Sequence, residues 1–91
     1  MIELKKCRDK IDTIDRELLR LFEKRMHVVK EVASIKKANG ICIYDSSRED
    51  ELIAAIKKMS EDGLSEYDEA LFEKIMELSK LYQSRCLEDK L

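Results

Sequence analysis

Two cations fall at helix positions where apolar side chains are expected. Arg25 belongs to a stripe in which apolar residues recur at alternating spacings of three and four. Lys36 follows eleven residues later, so the two share a face about 16 Å apart along the helix axis. A buried cation without a counter-charge is costly, which predicts a small anion between them. The simpler alternatives are that Arg25 is an interface arginine paired with a glutamate on the helix of a partner chain, and that Lys36 is solvated.

The two following helices also direct polar groups toward their apolar faces. Arg48 and Glu49 lie one turn before apolar residues and continue the same face (Leu52, Ile53 and Ile56). Ser79 and Gln83 lie on the apolar stripe of the third helix. Simpler interpretations are also open. Glu49 could only complete a capping box with Ser46. Ser79 could be a small residue that allows close packing, and Gln83 a polar residue that fixes the register of paired helices.

The sequence offers no nucleophile paired with a base, no cluster with metal-ligand spacing and no phosphate-binding glycine loop. His27 is the only histidine and fits a partly exposed structural position. The pattern instead supplies fixed charges and hydrogen-bond donors. Such a set suits a dianionic ligand and a reaction that needs no proton transfer.

Three helices must position these groups. Charged residues make up 42% of the chain, aromatic residues 5%, and proline is absent, a composition that favours helices over sheets. The patterns predict an all-α single domain over residues 1–91, with helices at about 4–38, 46–61 and 66–87. Asn39-Gly40 ends the first helix, and Asp62-Gly63 ends the second. The cluster Asp45-Ser46-Ser47 offers good N-caps for the second helix, and Ser46 with Glu49 fits a capping box. Ser65 with Asp68 is the predicted N-cap of the third helix.

The first helix is too long for a compact chain of this size. Its apolar stripe runs without a slip from Leu4 to Ile35 and predicts a helix of roughly 50 Å, whereas a compact globule of this length is about 30 Å across. A second copy could cover the stripe, which predicts an intertwined homodimer. Arg8 lies about 25 Å from Arg25 along the helix, so only the Arg8 of a partner subunit could join its site. A surface arginine is the alternative for Arg8.

The net charge, the apolar stretches and the cysteine spacing limit which partners and which cellular compartment are expected. The net charge is −2 with both signs interspersed, which does not resemble a nucleic-acid-binding surface. No stretch is apolar enough for a signal peptide or a membrane span. Three cysteines without CxxC spacing are typical of a reduced, cytoplasmic protein.

The order of these residues resembles the all-helical chorismate mutases, either the bacterial monofunctional enzymes or the mutase domains fused to prephenate dehydratase. The resemblance rests on the succession Arg8-Asp-Lys-Ile-Asp-x-Ile-Asp-x-x-Leu-Leu, Arg25, Lys36, Asp45-x-x-Arg48-Glu49 and Ser79-x-x-x-Gln83, and covers nearly the whole chain. It implies an intertwined dimer that converts chorismate to prephenate, on the route to phenylalanine and tyrosine, without a cofactor.

The resemblance also implies a role for each residue. Arg25 and the Arg8 of a partner subunit would hold the two substrate carboxylates. Lys36 and Gln83 would hydrogen-bond the ether oxygen of the breaking bond. Glu49, with the Asp45 region, would receive the ring hydroxyl. Arg48 and Ser79 would be accessory polar groups of the site. Two rival functions are an isochorismate-pyruvate lyase, which shares this fold, and a non-catalytic helical dimerisation module.

Overall fold

The computed structural model describes residues 1–88, and helices are the only regular secondary structure within them. The helices are α1 (Ile2–Ala38), α2 (Ser46–Met59) and α3 (Ser65–Leu87). The predicted all-α class and the three helices are confirmed. The second helix ends two residues earlier than predicted, because the backbone of Ser60 turns to an extended conformation with a ψ of 142°. The Ser60 hydroxyl donates to the carbonyl of Ile56 at 2.7 Å.

The molecule is elongated, because α1 runs its full length. It extends 55 × 30 × 14 Å, with a radius of gyration of 16.5 Å, whereas a compact chain of this length would have about 12 Å. The N-terminal half of α1 is solvent-exposed throughout. A long first helix was predicted, and the structure confirms it.

The end of α1 sets the direction of the connector to α2. Gly40 adopts a φ of +65°, which glycine tolerates without strain. The N–H groups of Ile41 and Gly40 donate to the carbonyls of Lys36 and Lys37, at 2.8 and 3.4 Å. This is a Schellman motif, and it turns the chain back across the last turn of α1. The end of α1 at Ala38 agrees with the stop predicted from the Asn39-Gly40 pair.

The cap of α2 lies within the predicted Asp45-Ser46-Ser47 cluster, but the capping box of Ser46 with Glu49 and the predicted Ser65 cap are wrong. Asp45, rather than Ser46, caps α2, because its Oδ1 accepts from the backbone N–H of Arg48 at 3.1 Å. Glu49 therefore lies four residues after the cap, instead of the three that a capping box requires. Its carboxylate pairs with Lys80 instead. At α3, Leu64 occupies the cap position without a side-chain hydrogen bond, and Ser65 is already helical.

Helix α3 holds the chain together. It packs against both α1 and α2, whereas no Cα of α1 lies within 8 Å of a Cα of α2 in the described residues. The buried apolar core is small and consists of Val29, Ala33, Ile56 and Met76.

Helix α3 covers a face of α1 that lies beside the predicted apolar stripe. Val29 and Ala33 are each one residue past a position of the predicted stripe, which rotates them by about 100°. The stripe itself stays open within this chain, with Ile11, Ile14 and Leu18 each more than half exposed. None of the helices described is long and apolar enough to cross a membrane.

Candidate active site

The predicted polar residues meet around one open cavity of about 280 Å³. The cavity lies between the C-terminal half of α1, the connector, the start of α2 and the C-terminal half of α3. Seven of the eight predicted site residues line it: Arg25, Lys36, Asp45, Arg48, Glu49, Ser79 and Gln83. Arg8 does not, because it lies on the exposed N-terminal part of α1, as the helix geometry predicted.

Arg25 reaches the cavity from α1 and is held by α3. Its Nη1 donates to Oγ of Ser79 at 2.6 Å, and that hydroxyl in turn donates to the carbonyl of Ile75 at 2.7 Å. Burial, and secondarily the positive charge of Arg48, lowers the pKa of Arg25 from its ordinary value. No carboxylate forms an ion pair with Arg25 among residues 1–88. Its charge therefore lacks a counter-charge within the described chain.

Lys36 projects from the last turn of α1 beneath the connector. Its Nζ donates to the carbonyl of Ile43 at 2.8 Å, a contact that the Schellman turn makes possible by folding the connector back. An ammonium group carries three donors, and this bond uses one of them. The side chain is thus fixed at the cavity wall with donors left for a ligand.

Asp45 and Arg48 lie at the entrance formed by the start of α2. The Asp45 carboxylate is engaged as the helix cap. The Arg48 side chain is 68% exposed and lies 4.0 Å from the Glu51 carboxylate, a surface pairing that contributes little to stability. Arg48 is therefore free to turn toward an anion in the cavity.

Glu49 and Lys80 form an ion pair across the cavity wall, between α2 and α3. The Lys80 Nζ lies 3.1 Å from Oε2 of Glu49 and 3.4 Å from Oε1. The same ammonium lies 4.9 Å from the centre of the Tyr44 ring in the connector, a distance suited to a cation–π interaction. Lys80 thus connects three segments around the cavity.

Ser79 and Gln83 are the two buried polar side chains of the described chain, at 6% and 7% exposure. Within residues 1–88, Oε1 of Gln83 has no hydrogen-bond partner, and no bond uses the rest of that amide. A buried polar group left unsatisfied costs free energy. Its position in the cavity wall therefore points to a ligand or water that completes it.

The lining as a whole is cationic. Four cations, namely Arg25, Lys36, Arg48 and Lys80, face two carboxylates, Asp45 and Glu49, which leaves a net charge of +2. An array of this kind can bind a small dianion and can place donors against charge that develops during a reaction.

The comparisons with known proteins agree with this geometry. A family model described as chorismate mutase type II matches residues 7–84, a span that contains all eight predicted site residues. The chain belongs to the chorismate mutase type II family.

Individual relatives carry related names. The chain is 36% identical to a chorismate mutase of Methanocaldococcus jannaschii over 94 aligned residues, which cover 98% of this chain and 93% of that protein. It is 42% identical over 55 residues to the T-protein of Haemophilus influenzae, covering 60% of this chain and 15% of the relative. A bifunctional chorismate mutase/prephenate dehydratase of Aquifex aeolicus is 36% identical over 62 residues, covering 68% and 17%. The chain thus spans about a sixth of the two longer relatives.

In this chorismate mutase family member, sequence reasoning missed one charged residue of the cavity lining, Lys80. It is adjacent to Ser79 and three residues before Gln83, so it lies on the flank of the stripe that those two define. Helical spacing could have placed it near the site. Its partners Glu49 and Tyr44 belong to other segments, however, and only the packing of α2 on α3 brings them together.

Proposed function

We propose that this chain catalyses the rearrangement of chorismate to prephenate. The observation that carries the proposal is the cavity with a net charge of +2, in which Arg25 and Lys36 lack a carboxylate partner within the described chain. Chorismate has two carboxylates and matches that charge. Family membership supports the same substrate.

Binding would select the reactive shape of the substrate. The rearrangement proceeds through a compact, chair-like conformer, which is scarce in water. In our proposal Arg25 holds one carboxylate, and Arg8 of the partner subunit holds the other. Two charges fixed in this way restrict the molecule to the geometry in which the new bond can form, and orientation of this kind can lower a barrier by several kcal/mol.

The remaining acceleration would come from donors at the breaking bond. Negative charge builds on the ether oxygen as the carbon–oxygen bond lengthens. Lys36 has donors left beyond its bond to Ile43, and the Gln83 amide is buried and uncommitted. Enzymes at the lower end of rate enhancement need about 8 kcal/mol, and one oriented donor supplies about 3–4 kcal/mol. Two donors together with conformer selection therefore suffice.

The other cavity residues would complete the fit. Glu49, with the Asp45 region, is proposed to accept the hydrogen bond of the ring hydroxyl, since an ionised carboxylate is an acceptor only. Arg48 at the entrance would add positive charge. Ser79 would orient Arg25, an assignment that its 2.6 Å hydrogen bond supports.

The working unit is proposed to be an intertwined homodimer. One chain exposes 7550 Å², whereas a compact monomer of its mass exposes about 5500 Å². The excess includes the apolar stripe of α1 and a groove between α1 and α3 with almost no polar surface, lined by Leu18, Phe22 and Leu71 among others. A second copy would cover this surface and bring its Arg8 to the cavity. A cytoplasmic location stays a prediction from the sequence.

The decisive experiment is an assay of the purified protein with chorismate. We expect loss of the ultraviolet absorbance of chorismate and formation of prephenate. A parallel assay with isochorismate, read as pyruvate and salicylate, tests the lyase alternative. No turnover of either substrate by a protein that is folded and dimeric would refute the proposal and favour a non-catalytic module.

A further inference from the structure

Lys80 is the one cation of the cavity that already has an anionic partner inside it. Its ammonium contacts both oxygens of Glu49, at 3.1 and 3.4 Å, and both side chains are largely shielded, at 36% and 25% exposure. Surface ion pairs elsewhere in the chain are more open; Lys5 and Asp9, for example, are 76% and 60% exposed.

The position of this pair has a consequence for an anionic ligand. Glu49 faces the same cavity that is proposed to take two substrate carboxylates, and like charges at short range repel strongly where solvent is limited. Lys80 offsets the charge of Glu49 without removing its ability to accept a hydrogen bond. The carboxylate has about four acceptor sites, and one ammonium leaves some of them open.

Lys80 also fixes where the carboxylate lies. Its ammonium lies 4.9 Å from the centre of the Tyr44 ring, so the connector limits its freedom on one side while Glu49 limits it on the other. The Glu49 side chain is thereby held against the cavity wall instead of extending into solvent.

We propose that Lys80 is a positioning residue that allows a carboxylate and a dianionic substrate to occupy the same cavity. This inference rests on the proposed function. It assigns the lysine to substrate binding, through charge balance around Glu49, and not to the breaking bond.

A matched control is available in the same pair of helices. Lys57 of α2 and Glu69 of α3 form an ion pair at 3.5 Å, and neither lines the cavity. Loss of either lysine removes one ionic link between α2 and α3. Only loss of Lys80 changes the charge of the cavity.

The test compares steady-state kinetics with chorismate for the full chain and four variants. We expect Lys80→Met to raise KM about tenfold, with kcat changed by less than about threefold, because binding is weakened more than the chemical step. Lys80→Arg should restore KM to within about threefold of the unmodified value, since arginine also pairs with a carboxylate. Lys57→Met should leave both constants unchanged.

The double variant Glu49→Gln/Lys80→Met decides whether charge balance is the cause. It returns the net charge of the lining to +2 and keeps an acceptor oxygen at position 49, so its KM should lie below that of Lys80→Met alone. A KM at or above that of the single variant would overturn the inference, as would equal effects of Lys57→Met and Lys80→Met. Absence of turnover in the unmodified protein would refute the proposed function instead.

Discussion

Replacing Lys36 by alanine tests the central step of the proposed mechanism. The Lys36 ammonium is fixed by its 2.8 Å bond to the carbonyl of Ile43 and has donors left over. If one of them stabilises the charge that develops on the ether oxygen, its loss should lower kcat by about 10²–10³, or roughly 3–4 kcal/mol. The ether oxygen of the bound substrate carries little charge before the bond breaks, so KM should rise by less than about tenfold.

The same substitution removes a structural hydrogen bond, and its effect must be separated. Loss of the bond to Ile43 should lower the free energy of unfolding by about 1–2 kcal/mol, which lowers the melting temperature of a domain of this size by about 4–16 °C. Lys37→Ala is the matched control, because Lys37 is the adjacent lysine, is exposed, and does not line the cavity. It should leave kcat unchanged.

The assay is the initial rate of ultraviolet absorbance loss over a range of chorismate concentrations, with thermal unfolding followed on the same samples. A Lys36→Ala defect confined to KM would refute the transition-state role and leave Lys36 as a binding cation only. An equal loss of kcat in Lys37→Ala would show that net charge, and not the position of Lys36, is responsible.

Three further predictions concern the other site residues and the dimer. Gln83→Glu should regain activity as the pH falls, because only the protonated acid can donate to the ether oxygen; undiminished kcat at neutral pH would contradict the assignment. An equimolar mixture of dissociated and reassociated Arg8→Ala and Lys36→Ala chains should recover activity toward about a quarter of that of the unmodified protein, because half the sites in each mixed dimer are intact; no recovery despite mixed dimers would place Arg8 outside the site. Folding lowers the pKa of Arg25, so the folded state disfavours its charged form at every pH below that lowered pKa, neutral pH included. Arg25→Leu should abolish turnover, because leucine cannot hold a substrate carboxylate. The melting temperature should stay level or rise, because the costly buried charge is removed, and a large fall in melting temperature would show that the arginine is needed for stability.

The helices and most of the candidate site could be predicted from the sequence, because both depend on local spacing. Apolar residues spaced alternately three and four apart predict α1. Arg25, Ser79 and Gln83 are identified because they are polar residues at positions where this pattern expects apolar ones. Seven of the eight predicted residues line one cavity. Arg8 lies apart from it, as the length of the helix requires.

The features that could not be predicted depend on how the helices pack. The turn from α1 to α2 could have been capped by Asp45 or by Ser46, and both residue types favour that position. The choice of Asp45 moves Glu49 out of the capping box and leaves its carboxylate for Lys80. Similarly, the stripe of α1 does not specify where α3 packs on that helix, and the burial of Val29 and Ala33, each one residue past a stripe position, is visible only in the folded chain.

The separation of α1 from α2 has a consequence for local stability. Both helices pack on α3 and have no Cα atoms within 8 Å of each other in the described residues, so within the chain α2 is secured on one side only. A ligand that contacts Arg25 on α1 and Glu49 on α2 would connect these two helices directly. Amide hydrogen exchange in α2 should therefore slow more on saturation with a tight-binding chorismate analogue than exchange in α3, since binding stabilises whatever opening exposes the site.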